Sequence, residues 1–151
     1  MKRLLIFTLC IVAWSCKRKE VISQAKADDN IIQKYISDNN LDATATGSGL
    51  YYMIERQGTG ANPNINSSIT VVYRGVLTNG TVFDESKPAP TGFTTNLKST
   101  VAGWQEGLPY FKKGGKGKLL IPSALGYGAK ATGGIPANSV LIFDIELLDV
   151  R

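Results

Sequence analysis

The chain contains no histidine. That absence excludes Ser-His-Asp triads, Cys-His dyads and His-ligated metals together. Cysteine is nearly as scarce: there are two, Cys10 and Cys16, both close to the amino terminus. A chain processed before Cys16 keeps one thiol and forms no internal disulfide, even in an oxidising compartment. Glycine and proline are missing from the first 46 residues, whereas all 16 Gly and all six Pro lie at or beyond Gly47. The chain therefore changes from turn-free to turn-rich near residue 47. It has no G-x-x-x-x-G-K-S/T and no G-x-S-x-G, which sets aside P-loop nucleotide binding and nucleophile-elbow hydrolysis. No metal-ligand spacing is present, and no cofactor is expected.

What is there suits one domain. The 151 residues are 43% hydrophobic and 19% charged, enough to bury a core and too apolar for a disordered chain. Mean hydropathy is −0.03, too polar for a bundle of membrane spans. The net charge is +5, and setting aside Lys2 and Arg3 from the 17 basic residues lowers it to +3. Six of the remaining cations form two short clusters, Lys17-Arg18-Lys19 and Lys112, Lys113, Lys116. This is a mildly basic solvated surface, and no nucleic-acid partner is expected.

The first residues read as an address. Met1-Lys2-Arg3 is a positive start, and Leu4 to Trp14 is an apolar run of eleven residues. At 1.5 Å per residue, eleven residues cover about 16 Å, short of the ~30 Å of bilayer hydrocarbon. The length suits a secretory signal peptide. Ser15-Cys16 at its end resembles the lipobox of bacterial lipoproteins. That resemblance implies acylation of Cys16, a lipid anchor to the membrane, and a place in the cell envelope, at the outer membrane facing the periplasm. Several acyl chains at about 0.8 kcal/mol per buried CH₂ make such an anchor stable.

We expect three segments: a leader over 1–15, a tether with a short amphipathic helix over 16–46, and a folded domain over 47–151. Residues 17 to 27 are polar and read as the tether. Asp28-Asp29-Asn30 then precede Ile31, Ile32, Tyr35 and Ile36, which pair at i, i+4. Acids at a helix start and this spacing predict a helix from Asp29 to Asp38. Its apolar face either meets a partner or packs on the domain's own sheet. Beyond Gly47 the signals are those of strands. Leu50 to Arg56, Ile69 to Leu77, Thr81 to Asp84, Lys116 to Ile121 and Val140 to Val150 are predicted strands. Asn79-Gly80 predicts a type I′ hairpin. Trp104, Leu108 and Phe111, spaced four and three, predict one helix within 103–113, limited to about two turns by Pro109. The fold class is α+β: a curved antiparallel β-sheet wrapped around one short α-helix, with a short N-terminal helix after the signal peptide.

The residues left to carry chemistry are aromatic and apolar, with one acid among them: Tyr73, Phe83-Asp84, Val101, Trp104, Tyr127, Ile135-Pro136 and Phe143. Asp84 follows an inward Phe83 at a strand end, where a buried carboxylate needs a donor. The Tyr73 hydroxyl across the hairpin could supply it.

Four segments then resemble the FKBP-type peptidyl-prolyl cis-trans isomerases. They are Val71-Val72-Tyr73-Arg74-Gly75 through Phe83-Asp84-Glu85-Ser86; Val101-Ala102-Gly103-Trp104-Gln105-Glu106-Gly107-Leu108; Leu120-Ile121-Pro122-Ser123-Ala124-Leu125-Gly126-Tyr127-Gly128; and Ile135-Pro136-Ala137-Asn138 through Phe143-Asp144-Ile145-Glu146-Leu147-Leu148. They come in the family's order and spacing, from Gly47 to Arg151. The resemblance implies a proline pocket lined by Tyr73, Phe83, Trp104 and Phe143, with Trp104 as its floor. It places Asp84 on the rim, bonded to Tyr73. The Val101 N–H and the Tyr127 hydroxyl would hold substrate carbonyls, Ile135 would come from an overhanging loop, and Phe93 would be a further wall. Tyr73, Asp84, Tyr127 and Phe143 are the implied catalytic set. Thr95 stands where the family has a second aromatic, and Gly133-Gly134 shortens the overhanging loop's side chains. The implied partners are proline-containing polypeptides, with macrolides as possible ligands. The implied function is X–Pro isomerisation during folding of envelope proteins. A peptide-binding chaperone module that uses the pocket without turnover is the alternative.

Overall fold

The computed structural model describes the backbone of residues 6–151 and the side chains of residues 21–151. Residues 1–5 of the expected leader, the side chains of its remaining residues and the Cys16 thiol lie outside what is described.

Seven strands form one antiparallel sheet in the order β1-β2-β6-β7-β3-β4, with β5 also paired to β3. They are β1 (Thr44–Ala45), β2 (Tyr51–Arg56), β3 (Ser68–Leu77), β4 (Val82–Glu85), β5 (Phe93–Asn96), β6 (Lys116–Ile121) and β7 (Leu141–Val150). The long strands β3 and β7 pair at the centre, with Tyr73 opposite Ile145 and Gly75 opposite Phe143. β4 takes the second half of β3 and β5 the first half, so that edge is split between two short strands.

Alternation decides which side chains enter the core. Ile69, Val71 and Leu77 on β3, and Leu141, Phe143, Ile145 and Leu147 on β7, are buried on one face. Leu119 and Ile121 of β6 join them. On this concave face lies α2 (Ala102–Gly107), which continues as a 3₁₀ turn over Leu108–Tyr110. Pro109 occupies that turn and stops the α-helix, as expected. Trp104, Leu108 and Phe111 all point into the core.

The other face of the sheet is covered in part by α1. This helix runs from Ile6 to Asp38 and corrects two expectations. Residues 17 to 27 are helical rather than a loose tether, and the helix starts far before Asp29. The stretch holds no Gly or Pro and is rich in Lys, Glu, Gln and Ala, which are good helix formers. Asp28 is consequently an interior helix residue, not an end cap. The apolar face of α1 packs on the chain's own sheet. Ile32 is fully buried against Tyr51, Leu120, Val140 and Ile142, with Tyr35 and Ile36 alongside. No helix among the described residues is long and apolar enough to cross a membrane.

The Asn79-Gly80 turn also differs from expectation. Gly80 has φ 87°, while Asn79 is not among the positive-φ residues. Type I′ needs both in that region. Instead, Gly80 N–H bonds Leu77 O at 2.8 Å and Leu77 N–H bonds Thr81 O at 2.9 Å. The loop is therefore a type I turn closed by one left-handed glycine, with the register slipping between Gly75 and Val76. The strands β1 and β5 were not foreseen.

Candidate active site

The concave sheet and α2 leave one apolar recess between them. It measures about 400 Å³ and is lined by Tyr73, Asp84, Phe93, Thr95, Ser99, Thr100, Val101, Trp104, Tyr127 and Phe143. Each wall traces to a local cause. Val101 has extended backbone (φ −62°, ψ 150°) and caps α2, so Trp104 stands one turn in, 4% exposed, at the floor. The Trp104 Nε1–H is buried and finds no acceptor among the described residues. An unpaired donor of this kind costs about 1–3 kcal/mol.

Around the floor the rings meet edge to face, except that Tyr73 is tilted by 58° against Phe143. Tyr73 lies 5.1 Å from Trp104 and 5.9 Å from Phe93, centroid to centroid. Phe143 lies 5.2 Å from Trp104 and 6.0 Å from Tyr73. Such contacts hold an aromatic wall rigid and contribute about 0.5–1.5 kcal/mol each beyond area burial.

The Tyr73 hydroxyl donates to Asp84 Oδ2 at 2.6 Å, as the hairpin geometry suggested. Asp84 is exposed, unlike the buried carboxylate that its place after Phe83 at a strand end suggests. β4 is an edge strand, so its end faces solvent and the carboxylate keeps its hydration.

Burial first, and then the bond to Asp84, push the Tyr73 hydroxyl well above the ordinary tyrosine value. Tyr51 on β2 is raised as well, first by burial and then by its bond to Asp29. Both folded values exceed the unfolded one. The stability they contribute is fully present below about pH 10 and is lost as pH rises through the folded values. Tyr73→Phe and Tyr51→Phe should each remove a late-titrating phenol from the phenolate absorbance curve. Each should also flatten the fall in stability above about pH 10.

Among the residues named from the sequence, Tyr73, Asp84, Phe93, Val101, Trp104, Tyr127 and Phe143 are brought together around the recess. Val101 N–H makes no hydrogen bond among the described residues, and the Tyr127 ring is 43% exposed at the mouth. Two named residues stand apart. Phe83 sits one ring back, 5.4 Å from Phe143, over the space Gly75 leaves free. Ile135 is 5% exposed and turned into the core by the Thr132–Ile135 bridge. Neither borders the recess. Conversely, Ser99 and Thr100 form part of the wall without having been singled out. They are short polar residues in a turn, with no periodicity to mark them.

The family model described as FKBP-type peptidyl-prolyl cis-trans isomerase matches residues 60–148. The FKBP-type peptidyl-prolyl cis-trans isomerase FkpA of Buchnera aphidicola subsp. Schizaphis graminum is 54% identical over 107 residues, 70% of this chain and 42% of that protein. FkpA of Escherichia coli (strain K12) is 40% identical over 119 residues, 79% of this chain and 43% of that protein. The chain spans about half the length of the curated relatives it matches. Two solved structures share the fold. The peptidyl-prolyl cis-trans isomerase of Pseudomonas syringae pv. tomato superposes with a TM-score of 0.75 at 29% identity, covering 85% of this chain and 94% of that one. FkpA of Escherichia coli superposes with a TM-score of 0.71 at 32% identity, covering 100% and 73%. Four motifs in order, an antiparallel sheet folded over a short helix, and these matches agree: the chain belongs to the FKBP-type peptidyl-prolyl cis-trans isomerase family.

Proposed function

We propose that this protein isomerises X–Pro bonds in polypeptide substrates, and that the recess walled by Tyr73, Trp104 and Phe143 is where it does so. The carrying observation is that recess: about 400 Å³, ringed by aromatic groups, with a single acid at its rim.

The reaction is the rotation of one bond. Its barrier of ~18–20 kcal/mol arises because twisting the C–N bond destroys amide resonance. Water stabilises the planar, charge-separated form, so an apolar pocket favours the twisted amide, whose dipole is smaller. No bond breaks, and no nucleophile or proton carrier is needed. A 10⁶-fold acceleration requires about 8 kcal/mol of preference for the twisted form. The prolyl ring enters over Trp104. Val101 N–H and the Tyr127 hydroxyl hold the flanking carbonyls, which fixes one side of the bond while the other turns. Asp84 fixes the orientation of the Tyr73 ring. Phe93 is an exposed outer wall, and Phe83 supports Phe143 from behind. Macrolides compete for the same cavity.

The proposal extends to the cell. Residues 1–15 are an export leader, Cys16 carries the lipid anchor, and 47–151 is the isomerase domain held by residues 16–46. The clients are envelope proteins whose folding waits on proline, a step of tens to hundreds of seconds when uncatalysed.

A protease-free assay on a short X–Pro peptide tests the activity. Asp84→Ala should lower kcat/KM about tenfold, equivalent to about 1.4 kcal/mol of transition-state stabilisation. An Asp84→Ala variant as fast as the parent would remove Asp84 from the mechanism. A parent chain that binds the peptide without turning it over would instead be a peptide-binding module. Mass spectrometry of the membrane fraction tests the acylation of Cys16.

A further inference from the structure

The matched family segment begins at residue 60, yet a residue far ahead of it reaches the active-site loop. Asp28, on α1, is 1% exposed. Its Oδ2 accepts from Ser123 N–H at 2.8 Å and from Ser123 Oγ at 2.6 Å, and its Oδ1 accepts from Gln24 Nε2 at 2.7 Å. Ser123, 2% exposed, opens the 3₁₀ turn Ser123–Leu125. The Ser123 carbonyl accepts from Gly126 N–H at 3.0 Å and from Gly128 N–H at 2.8 Å. Those two glycines flank Tyr127. Gly128 O in turn accepts from Asn138 N–H at 2.8 Å, so the strand of contacts reaches the overhanging loop.

A buried carboxylate is a costly way to attach a helix. Asp28 makes no ion pair among the described residues. An apolar contact of the same size would hold α1 to the sheet more cheaply. What the carboxylate adds is direction: two charge-assisted bonds grip both donors of one serine and set that turn in a single position. Elsewhere α1 is attached without touching the site. The Tyr51 hydroxyl donates to Asp29 Oδ1 at 2.8 Å and accepts from Gln33 Nε2 at 2.6 Å.

We infer that Asp28 is a positioning residue for Tyr127: through Ser123 it fixes where the Tyr127 hydroxyl stands at the mouth of the recess, which makes α1 part of the active-site scaffold. The inference rests on the isomerase reading for its consequence in turnover, and on the loop geometry alone for its structural content.

Two measurements on the full chain, purified in mild detergent, separate these. In the peptide assay, Asp28→Ala should lower kcat/KM about fivefold, with Asp28→Asn recovering to within about twofold. In a Tyr127→Phe background the same Asp28→Ala change should cost less than about 1.5-fold, because its route is already cut. Tyr51→Phe, which loosens α1 without touching the turn, should leave turnover at the parent level. By amide hydrogen exchange, Gly126 and Gly128 should open more than about tenfold faster in Asp28→Ala and be unchanged in Tyr51→Phe. Equal losses in both Tyr127 backgrounds, or unaltered glycine exchange, would overturn the inference. A parent chain without turnover would sink the isomerase reading only, and the exchange result would then decide. If Asp28→Ala does not fold, Ser123→Ala removes just the Oγ bond and is expected to show the same pattern at smaller amplitude.

Discussion

Phe143→Ala is expected to abolish most turnover, with kcat/KM falling about 100-fold, or about 2.7 kcal/mol of lost transition-state stabilisation. The reason is position. Phe143 is 4% exposed near the start of β7, and its ring meets Tyr73, Phe83 and Trp104 within 5.2–6.0 Å. Removing it opens the wall to water, and water stabilises the planar amide that the pocket must disfavour. The same truncation deletes core volume and should cost about 3–5 kcal/mol of folding stability. Against a typical total of about 5–15 kcal/mol, that is a large share. The two losses must therefore be measured separately, by denaturant unfolding and by the peptide assay at low temperature. Phe143→Leu retains an apolar wall and should cost less than about 1.5 kcal/mol in stability. Its kcat/KM should fall between the parent and the alanine variant. A stable Phe143→Ala protein turning over at the parent rate would end the pocket assignment.

Gly117→Ala should do the reverse: damage the fold and spare the site. Gly117 lies on β6, opposite Ile54 on one side and Ile145 on the other. A Cβ built there would stand 1.9 Å from the Met53 carbonyl oxygen and 3.1 Å from Ile54 Cα. Those are backbone atoms, so relief requires prying β2 from β6 rather than rotating a side chain. Overpacking usually costs about 1–3 kcal/mol, and a backbone collision belongs at or above the top of that range. With about 2–8 °C lost per kcal/mol in domains of this size, Tm should fall by at least about 6 °C. Gly117 does not border the recess, so turnover per folded molecule should stay within about twofold of the parent. A thermal melt unchanged by the substitution would mean that β2 moves aside freely.

Legibility followed the strength of the local signal. Ile69 to Leu77 alternates over a full strand, and Ile69, Val71, Gly75 and Leu77, which share one face by that alternation, are its buried residues. β5 is not legible because Phe93-Thr94-Thr95-Asn96 is short and carries one apolar residue, and it pairs with the first half of β3, which β4 leaves free. β1 has two residues and exists only as an addition to β2. The full extent of α1 is not legible, because the polar residues before Asp28 read as a solvent-facing tether. Helix formers without a breaker continue a helix regardless of polarity once a downstream turn is anchored. In the site, the Tyr73–Asp84 pair was legible because a hairpin brings the two together, but the exposure of Asp84 was not, since it depends on β4 lying at an edge.

The residue sequence by itself determined that no imidazole or thiol chemistry belongs to the folded domain. It also determined the strand faces, the short helix cut by Pro109, and the family motifs that mark the pocket. Tertiary structure alone decided that Phe83 and Ile135 stand behind the wall rather than in it, that Ser99 and Thr100 complete it, and that Asp28 on α1 holds the turn before Tyr127. Periodicity and local motifs depend on neighbours along the chain. Those last relations join residues separated by as many as 95 positions, and only the closing of the sheet over α2 and under α1 brings them within bonding distance.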